Sequence, residues 1–178
     1  CAAILRGIRR HRMLAKVELL TPEEAASLTA GLDEILTLHG TGEFIITRAD
    51  EDCHTAIENF LVRRCGEAGK KIHTGRSRND QVLTALRLYS KARAGACAAA
   101  LQELISALFA LGNAHGDCPM PGYTHTRKAM PSSVGMWAGA FRDAYQDDLA
   151  LLEHAVELLD QNPLGTGAGY GVPLPLDR

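Results

Sequence analysis

Two polar segments hold the residue types that could do chemistry. The first is Gly69-Lys70-Lys71-Ile72-His73-Thr74-Gly75-Arg76-Ser77-Arg78-Asn79-Asp80-Gln81. It is a glycine-punctuated loop that runs straight into a helical pattern. A helix start offers unpaired backbone N–H groups and a partial positive charge. Hydroxyl, guanidinium and amide side chains beside it suit a carboxylate or a phosphate. Between positions 63 and 78 stand Arg63, Arg64, Lys70, Lys71, Arg76 and Arg78 against one acid, Glu67. A solvated basic loop with a good N-cap explains the same residues. Nucleic acid is the weaker partner, because no aromatic is interleaved for base stacking.

The second segment is Met120-Pro121-Gly122-Tyr123-Thr124-His125-Thr126-Arg127-Lys128-Ala129-Met130-Pro131. Tyr123, Thr124 and His125 lie between a Pro-Gly turn and a Pro that opens a helix. Histidine titrates near neutrality and suits acid–base work, although a lone loop histidine is usually only a surface or packing residue. Two further segments carry weaker signals. Glu51-Asp52-Cys53-His54-Thr55 reads first as a helix cap. Gly165 to Gly171 matches neither nucleotide-binding fingerprint and reads as a turn that lets the chain pass close to a neighbour.

These segments must be positioned by helices. Thr21-Pro22-Glu23-Glu24 is a capping box with Pro at the first helical position, followed by Ala25, Leu28, Leu32 and Ile35 at helical spacing. Ile4, Leu5, Ile8, Met13, Leu14 and Val17 predict a helix before it. Ala56, Ile57, Phe60 and Leu61 predict one after it. Phe44-Ile45-Ile46-Thr47 is the one strand-like run. Two long helices are predicted: one from about Ser77 to Gly112, some 54 Å at ~1.5 Å per residue, and one after Pro131 carrying Val134, Trp137, Phe141, Tyr145, Leu149, Leu152, Val156 and Leu159. Each seam needs partner helices along its length. The connector 112–130 reads as a long loop of the kind that is often functional.

The chain has 178 residues, 46% of them apolar and 22% charged, with net charge −2. This excludes a disordered or collagenous chain and gives no global attraction to nucleic acid or anionic lipid. Five cysteines (1, 53, 65, 97, 118) form no CxxC pair, so reduced thiols in the cytoplasm are expected. His115 and Cys118 lack a second ligand pair, and no metal site is expected. No apolar run is read as reaching the ~20 residues that span a bilayer, and no signal peptide is read at the start. A first residue Cys1 rather than Met, and a last stretch Leu176-Asp177-Arg178 without a terminating signal, suggest a piece of something longer.

Taken together the segments resemble one family. GKKIHTGRSRNDQV at 69–82 looks like the signature of argininosuccinate lyases, within the fumarase/aspartase superfamily. MPGYTH at 120–125 matches the superfamily's second region, and EDCHT at 51–55 resembles EDIHS. Gln161-Asn162-Pro163-Leu164-Gly165 with the following GAGYG and PLDR resembles the stretch after the family's second long helix, and AMPSS at 129–133 resembles one subgroup. The resemblance implies an all-α fold: a small N-terminal helical domain (1–76), then the first part of a central long-helix bundle (77–178), in a homotetramer. It implies β-elimination of argininosuccinate, a small-molecule substrate, to arginine and fumarate without metal or organic cofactor. Ser77, Arg78 and Asn79 would bind substrate from one subunit. Thr124 would hold a carboxylate and His125 would serve in acid–base chemistry from a second. No nucleic acid or membrane partner is implied, and the location is cytoplasmic. The family's usual THxQ is here Thr124-His125-Thr126-Arg127. The family's GSSxMPxKxNP loop, source of the serine assigned as base, and its WGGRF-like start do not occur among these residues, so these residues alone are expected to be inactive. A non-catalytic helical relative with a structural role is the alternative reading.

Overall fold

The structure, a computed structural model, describes residues 11–165 and 167–177. Of the predicted first helix, Ile4, Leu5 and Ile8 lie outside the described residues, as do Cys1 and Thr166. The contacts divide the chain into two units. Residues 1–89 with 161–178 form one, and residues 90–160 form the other.

Unit 1 is built on helices α1 (His11–Lys16), α2 (Pro22–Thr41), α3 (Cys53–Cys65) and the single turn α4 (Glu67–Lys70). The capping box forms as expected. Thr21 Oγ1 accepts from Glu24 N at 3.2 Å, and Glu24 Oε2 accepts from Thr21 N at 3.0 Å. Leu28, Leu32 and Ile35 from α2 meet Ile57 and Leu61 from α3, with Leu14, Leu20, Ala68 and Ile72 completing one buried cluster. Each fully buried Leu or Ile side chain contributes roughly 1.5–3 kcal/mol, so unit 1 has a core of its own. Its C-terminal strand of chain is tied in by Leu176, which packs on that cluster, and by an ion pair from Lys16 to Asp177. The strand-like run at 44–47, too short and isolated to imply a sheet, forms no strand. Phe44 instead packs edge-on against Phe60, with ring centroids 6.1 Å apart.

Both long helices are present: α5 (Arg78–His115) and α6 (Val134–Leu159). The α6 start is capped by Ser133, whose Oγ accepts from Met136 N at 3.1 Å. In unit 2, Lys91 of α5 pairs with Asp160 at the end of α6 at 2.6 Å. Trp137, Phe141 and Tyr145 stack along one α6 face, 5.2 and 6.4 Å apart. That face is not covered: Trp137 is 47% and Phe141 44% exposed. Among the described residues of unit 2, Ala138 is the one buried apolar side chain.

Two expectations are corrected. The stretch 112–130 is not a plain loop. Strand β1 (Pro119–Thr124) pairs antiparallel with β2 (Arg127–Ser133), in a register that places Pro121 opposite Pro131 and Thr124 opposite Arg127. Three prolines, which cannot donate to a ladder, hide such strands from sequence reading. The irregularity between Pro121 and Tyr123 falls on Gly122, where a Cβ would lie 2.6 Å from Met130 O. Second, α5 is long and apolar enough, by length and composition, to cross a membrane. Its middle is a run of alanines around Leu101, Leu104 and Leu108, with Glu103 as the sole charge between Arg93 and the helix end. A leucine seam and an apolar span look alike in such a helix.

Candidate active-site segments

The basic loop lies in unit 1, between α4 and α5. A 3₁₀ turn at Lys71–His73 leads into it. Lys71 Nζ reaches back to Glu24 at 2.6 Å and ties the turn to the start of α2. Thr74 closes the turn by donating its hydroxyl to Lys71 O at 2.7 Å. Gly75 then takes φ +73°, where a Cβ would lie 2.9 Å from Leu176 Cδ1. Only glycine combines that left-handed backbone with that close approach. Gly75 O accepts from Ala168 N at 3.1 Å, so the glycine-rich segment does pass close to a neighbour, as its composition implies.

Ser77 ends the loop as the cap of α5: its Oγ accepts from Asn79 N at 3.3 Å. Arg78 turns its guanidinium onto the start of α3. Nη1 lies 3.2 Å from Asp52 Oδ2 and 3.7 Å from Glu51, and Nη2 donates to Thr55 Oγ1 at 3.2 Å. Asp52 is also the α3 cap, accepting from Thr55 N at 2.9 Å. That backbone donor, followed by the Arg78 charge, lowers the Asp52 pKa. The cap reading of this segment therefore holds, and the cap has a second task in orienting Arg78. Asn79 is exposed at the first turn of α5.

Beneath the loop lies a polar cluster that sequence reading missed. His54, buried on α3, faces His73 with ring centroids 6.4 Å apart. Gln81, buried on the first turn of α5, donates from Nε2 to His73 Nδ1 at 2.8 Å. The remaining His73 nitrogen stands 3.8 Å from Glu58, beyond hydrogen-bond reach. Burial, then the charge of His54, Arg76 and Arg78, pushes the His73 pKa down to about 4. Burial lowers His54 as well. Both imidazoles are thus neutral at neutral pH. The signal was in the sequence as His54, His73 and Gln81, but nothing in their spacing says that three elements bring them together.

The second segment lies in unit 2, at the tip of the β1–β2 hairpin. His125 and Thr126 are its two turn residues, with φ of 51° and 64°. Two-residue hairpin turns demand this left-handed pair, and Asn or Gly normally supplies it. Thr124 Oγ1 and His125 Nδ1 are 2.8 Å apart. Across from Thr124 stands Arg127, and the hairpin carries Arg127 and Lys128 with no acid. Ser77, Arg78 and Asn79 are thus brought together in unit 1, and Thr124 and His125 in unit 2. His115, the last residue of α5, and Cys118, just before β1, are both exposed, and among the described residues no three His, Cys, Asp or Glu side chains gather as a metal site needs.

The profile of a family described as lyases matches residues 9–178. An argininosuccinate lyase of Thermotoga neapolitana is 54% identical over 172 residues, 97% of this chain and 43% of that protein. One from Phocaeicola vulgatus is 43% identical over 175 residues, 98% of this chain and 39% of that protein. The chain therefore spans about two-fifths of the length of the curated relatives it matches. Among solved structures, an EDDS lyase variant with bound fumarate superposes with a TM-score of 0.78 at 25% identity, covering 98% of this chain and 34% of that one. A fumarate lyase:delta crystallin from Brucella melitensis gives 0.73 at 21% identity over 88% of this chain and 39% of that one.

Proposed function

The chain belongs to the lyase family, and from that premise we propose that the protein carrying it is an argininosuccinate lyase. The observation that carries this reading is the 54% identity to an argininosuccinate lyase over 97% of the chain. In the reaction, the proton beside a substrate carboxylate leaves and its electron pair spreads into that carboxylate. The C–N bond to the guanidino group then breaks as the nitrogen is protonated, leaving the C=C of fumarate and free arginine.

Each of the two segments suits one part of that chemistry. The α5 start offers backbone N–H groups, the Ser77 hydroxyl and the Asn79 amide to a carboxylate. Arg78 adds positive charge while Asp52 and Thr55 fix its fork. In the hairpin, His125 Nδ1–H can donate to Thr124 Oγ1, which frees the Thr124 proton for a substrate carboxylate and leaves His125 Nε2 for proton transfer. A histidine held at φ 51° costs about 1–2 kcal/mol against a glycine, and that cost at this position supports a working role. Residues 1–76 would belong to an N-terminal domain and 77–178 to the start of the central bundle of a cytoplasmic homotetramer. In that assembly the uncovered seams of α5 and α6 meet helices rather than lipid, and the hairpin and loop of one site come from different subunits.

The test is fumarate release from argininosuccinate, followed by absorbance, with the full-length protein. Steady release is expected. Asn79→Ala and His125→Ala should each lower kcat/KM by about a hundredfold or more with helix content intact. A folded full-length protein that releases no fumarate overturns the reading. It would favour the non-catalytic alternative, whose support is Arg127 in place of the usual Gln.

A further inference from the structure

The buried pair beneath the loop has no task in the chemistry above. His73 ends the 3₁₀ turn and Gln81 sits in the first turn of α5. The seven residues between them contain Ser77, Arg78 and Asn79. Their side chains join at 2.8 Å across the base of that loop. Gln81 is 8% exposed and the His73 side chain 19%. Burying two polar side chains costs free energy unless they pair, and apolar residues would fill the same space more cheaply. A hydrogen bond between two such side chains instead fixes one geometry, while His73 Nε2 finds no partner within hydrogen-bond reach among the described residues. The donor direction is also set. An amide N–H can only donate, so His73 Nδ1 must be the bare nitrogen and Nε2 must carry the proton.

We propose that His73 and Gln81 form a clasp that closes the base of the Ser77–Asn79 loop and holds it in the geometry that binds the substrate carboxylate. They are positioning residues and do not touch substrate. The proposal rests on the lyase reading for its substrate. The backbone supports the same assignment: Arg76 N donates to His73 O at 3.1 Å and Gln81 N to Ser77 O at 3.3 Å, so each end of the loop is anchored to a clasp residue. Asn is the informative replacement at 73, because its Oδ1 can accept where Nδ1 accepts; leucine cannot.

The experiment uses the full-length protein with argininosuccinate. His73→Leu and Gln81→Leu should each raise KM by about tenfold while kcat changes by less than about threefold, the pattern of a lost binding geometry. The double variant should be no worse than either single one by more than about twofold, since one bond is lost in all three. His73→Asn should bring KM back to within about threefold of the parent. Unchanged KM in the leucine variants overturns the clasp, as does His73→Asn behaving like His73→Leu, or losses that merely track loss of folded protein. If the parent itself releases no fumarate, the lyase reading fails separately. Amide exchange across 74–80 then decides the clasp: it should accelerate about tenfold in both leucine variants but not in His73→Asn, and unchanged exchange overturns it.

Discussion

Acidification should loosen unit 1 at the His54–His73 contact before it unfolds the rest. His73 falls from an ordinary value of 6.5 to about 4 in the folded chain. The unfolded chain therefore binds the proton first, and stability is lost as pH drops below 6.5 toward 4. At about pH 5 the unfolded imidazole is nearly fully protonated and the folded one about one-tenth so, a difference of about 2 kcal/mol. That corresponds to an opening constant about thirtyfold larger than at neutral pH. The groups facing His73 are His54, Gln81, Glu58, Arg76, Arg78 and Asp52. His54 moves in the same direction because burial also lowers its pKa. The assay is hydrogen exchange of the full-length protein, read on peptides covering 53–65 and 71–81 and corrected for intrinsic rates. His73→Asn keeps an acceptor for Gln81 but does not titrate, so it should remove about 2 kcal/mol of the pH response in those peptides. Equal acceleration in the parent and in His73→Asn refutes the reasoning.

Three substitutions test the frame around the loop and hairpin. Leu61→Ala empties a fully buried site that also meets Gly31 and should cost about 2–5 kcal/mol, read from denaturant midpoints. Gly75→Ala places a methyl 2.9 Å from Leu176 in a φ of +73°; it should destabilise unit 1 by about 1–2 kcal/mol or more and accelerate exchange around 74–77. Thr126→Gly relieves a β-branched residue at φ 64° and should stabilise the hairpin by roughly 1 kcal/mol, seen as slower exchange at 119–133; faster exchange there would contradict the turn geometry.

What was legible in the sequence was local. The Thr21 capping box, the α2 seam, and both long helices follow from spacing and caps within a few residues, and the structure has them. The chemistry-bearing loop was legible because its residue types cluster in one stretch. What failed was non-local. The β1–β2 hairpin depends on two proline-bearing strands finding each other, and its turn uses His125 and Thr126 where turn chemistry expects Gly or Asn. The Asp52–Arg78 pair and the His54–His73–Gln81 cluster join residues from separate elements. No periodicity reports such meetings. The apolar stretch of α5 was misread in the other direction: counting a seam of leucines overlooked the alanines between them, which leave few charges in the window.

The two units differ in how their helices are stabilised, and this bears on where function can reside. Among its described residues, unit 1 closes a core of nine buried side chains, so its loop can be held to fixed geometry by its own packing. Unit 2 buries Ala138 among its described apolar residues and leaves Trp137, Phe141, Leu104 and Phe109 more than 40% exposed. Helices with uncovered seams gain little from tertiary packing, so the position of the hairpin tip depends on whatever covers them. On the homotetramer reading, His125 and Thr124 reach working geometry only when subunits assemble, whereas Ser77, Arg78 and Asn79 are arranged within one chain. Substitution at Trp137 or Phe141 should then lower turnover by weakening assembly, with activity recovering as protein concentration rises. A loss independent of concentration would argue against assembly as the cause.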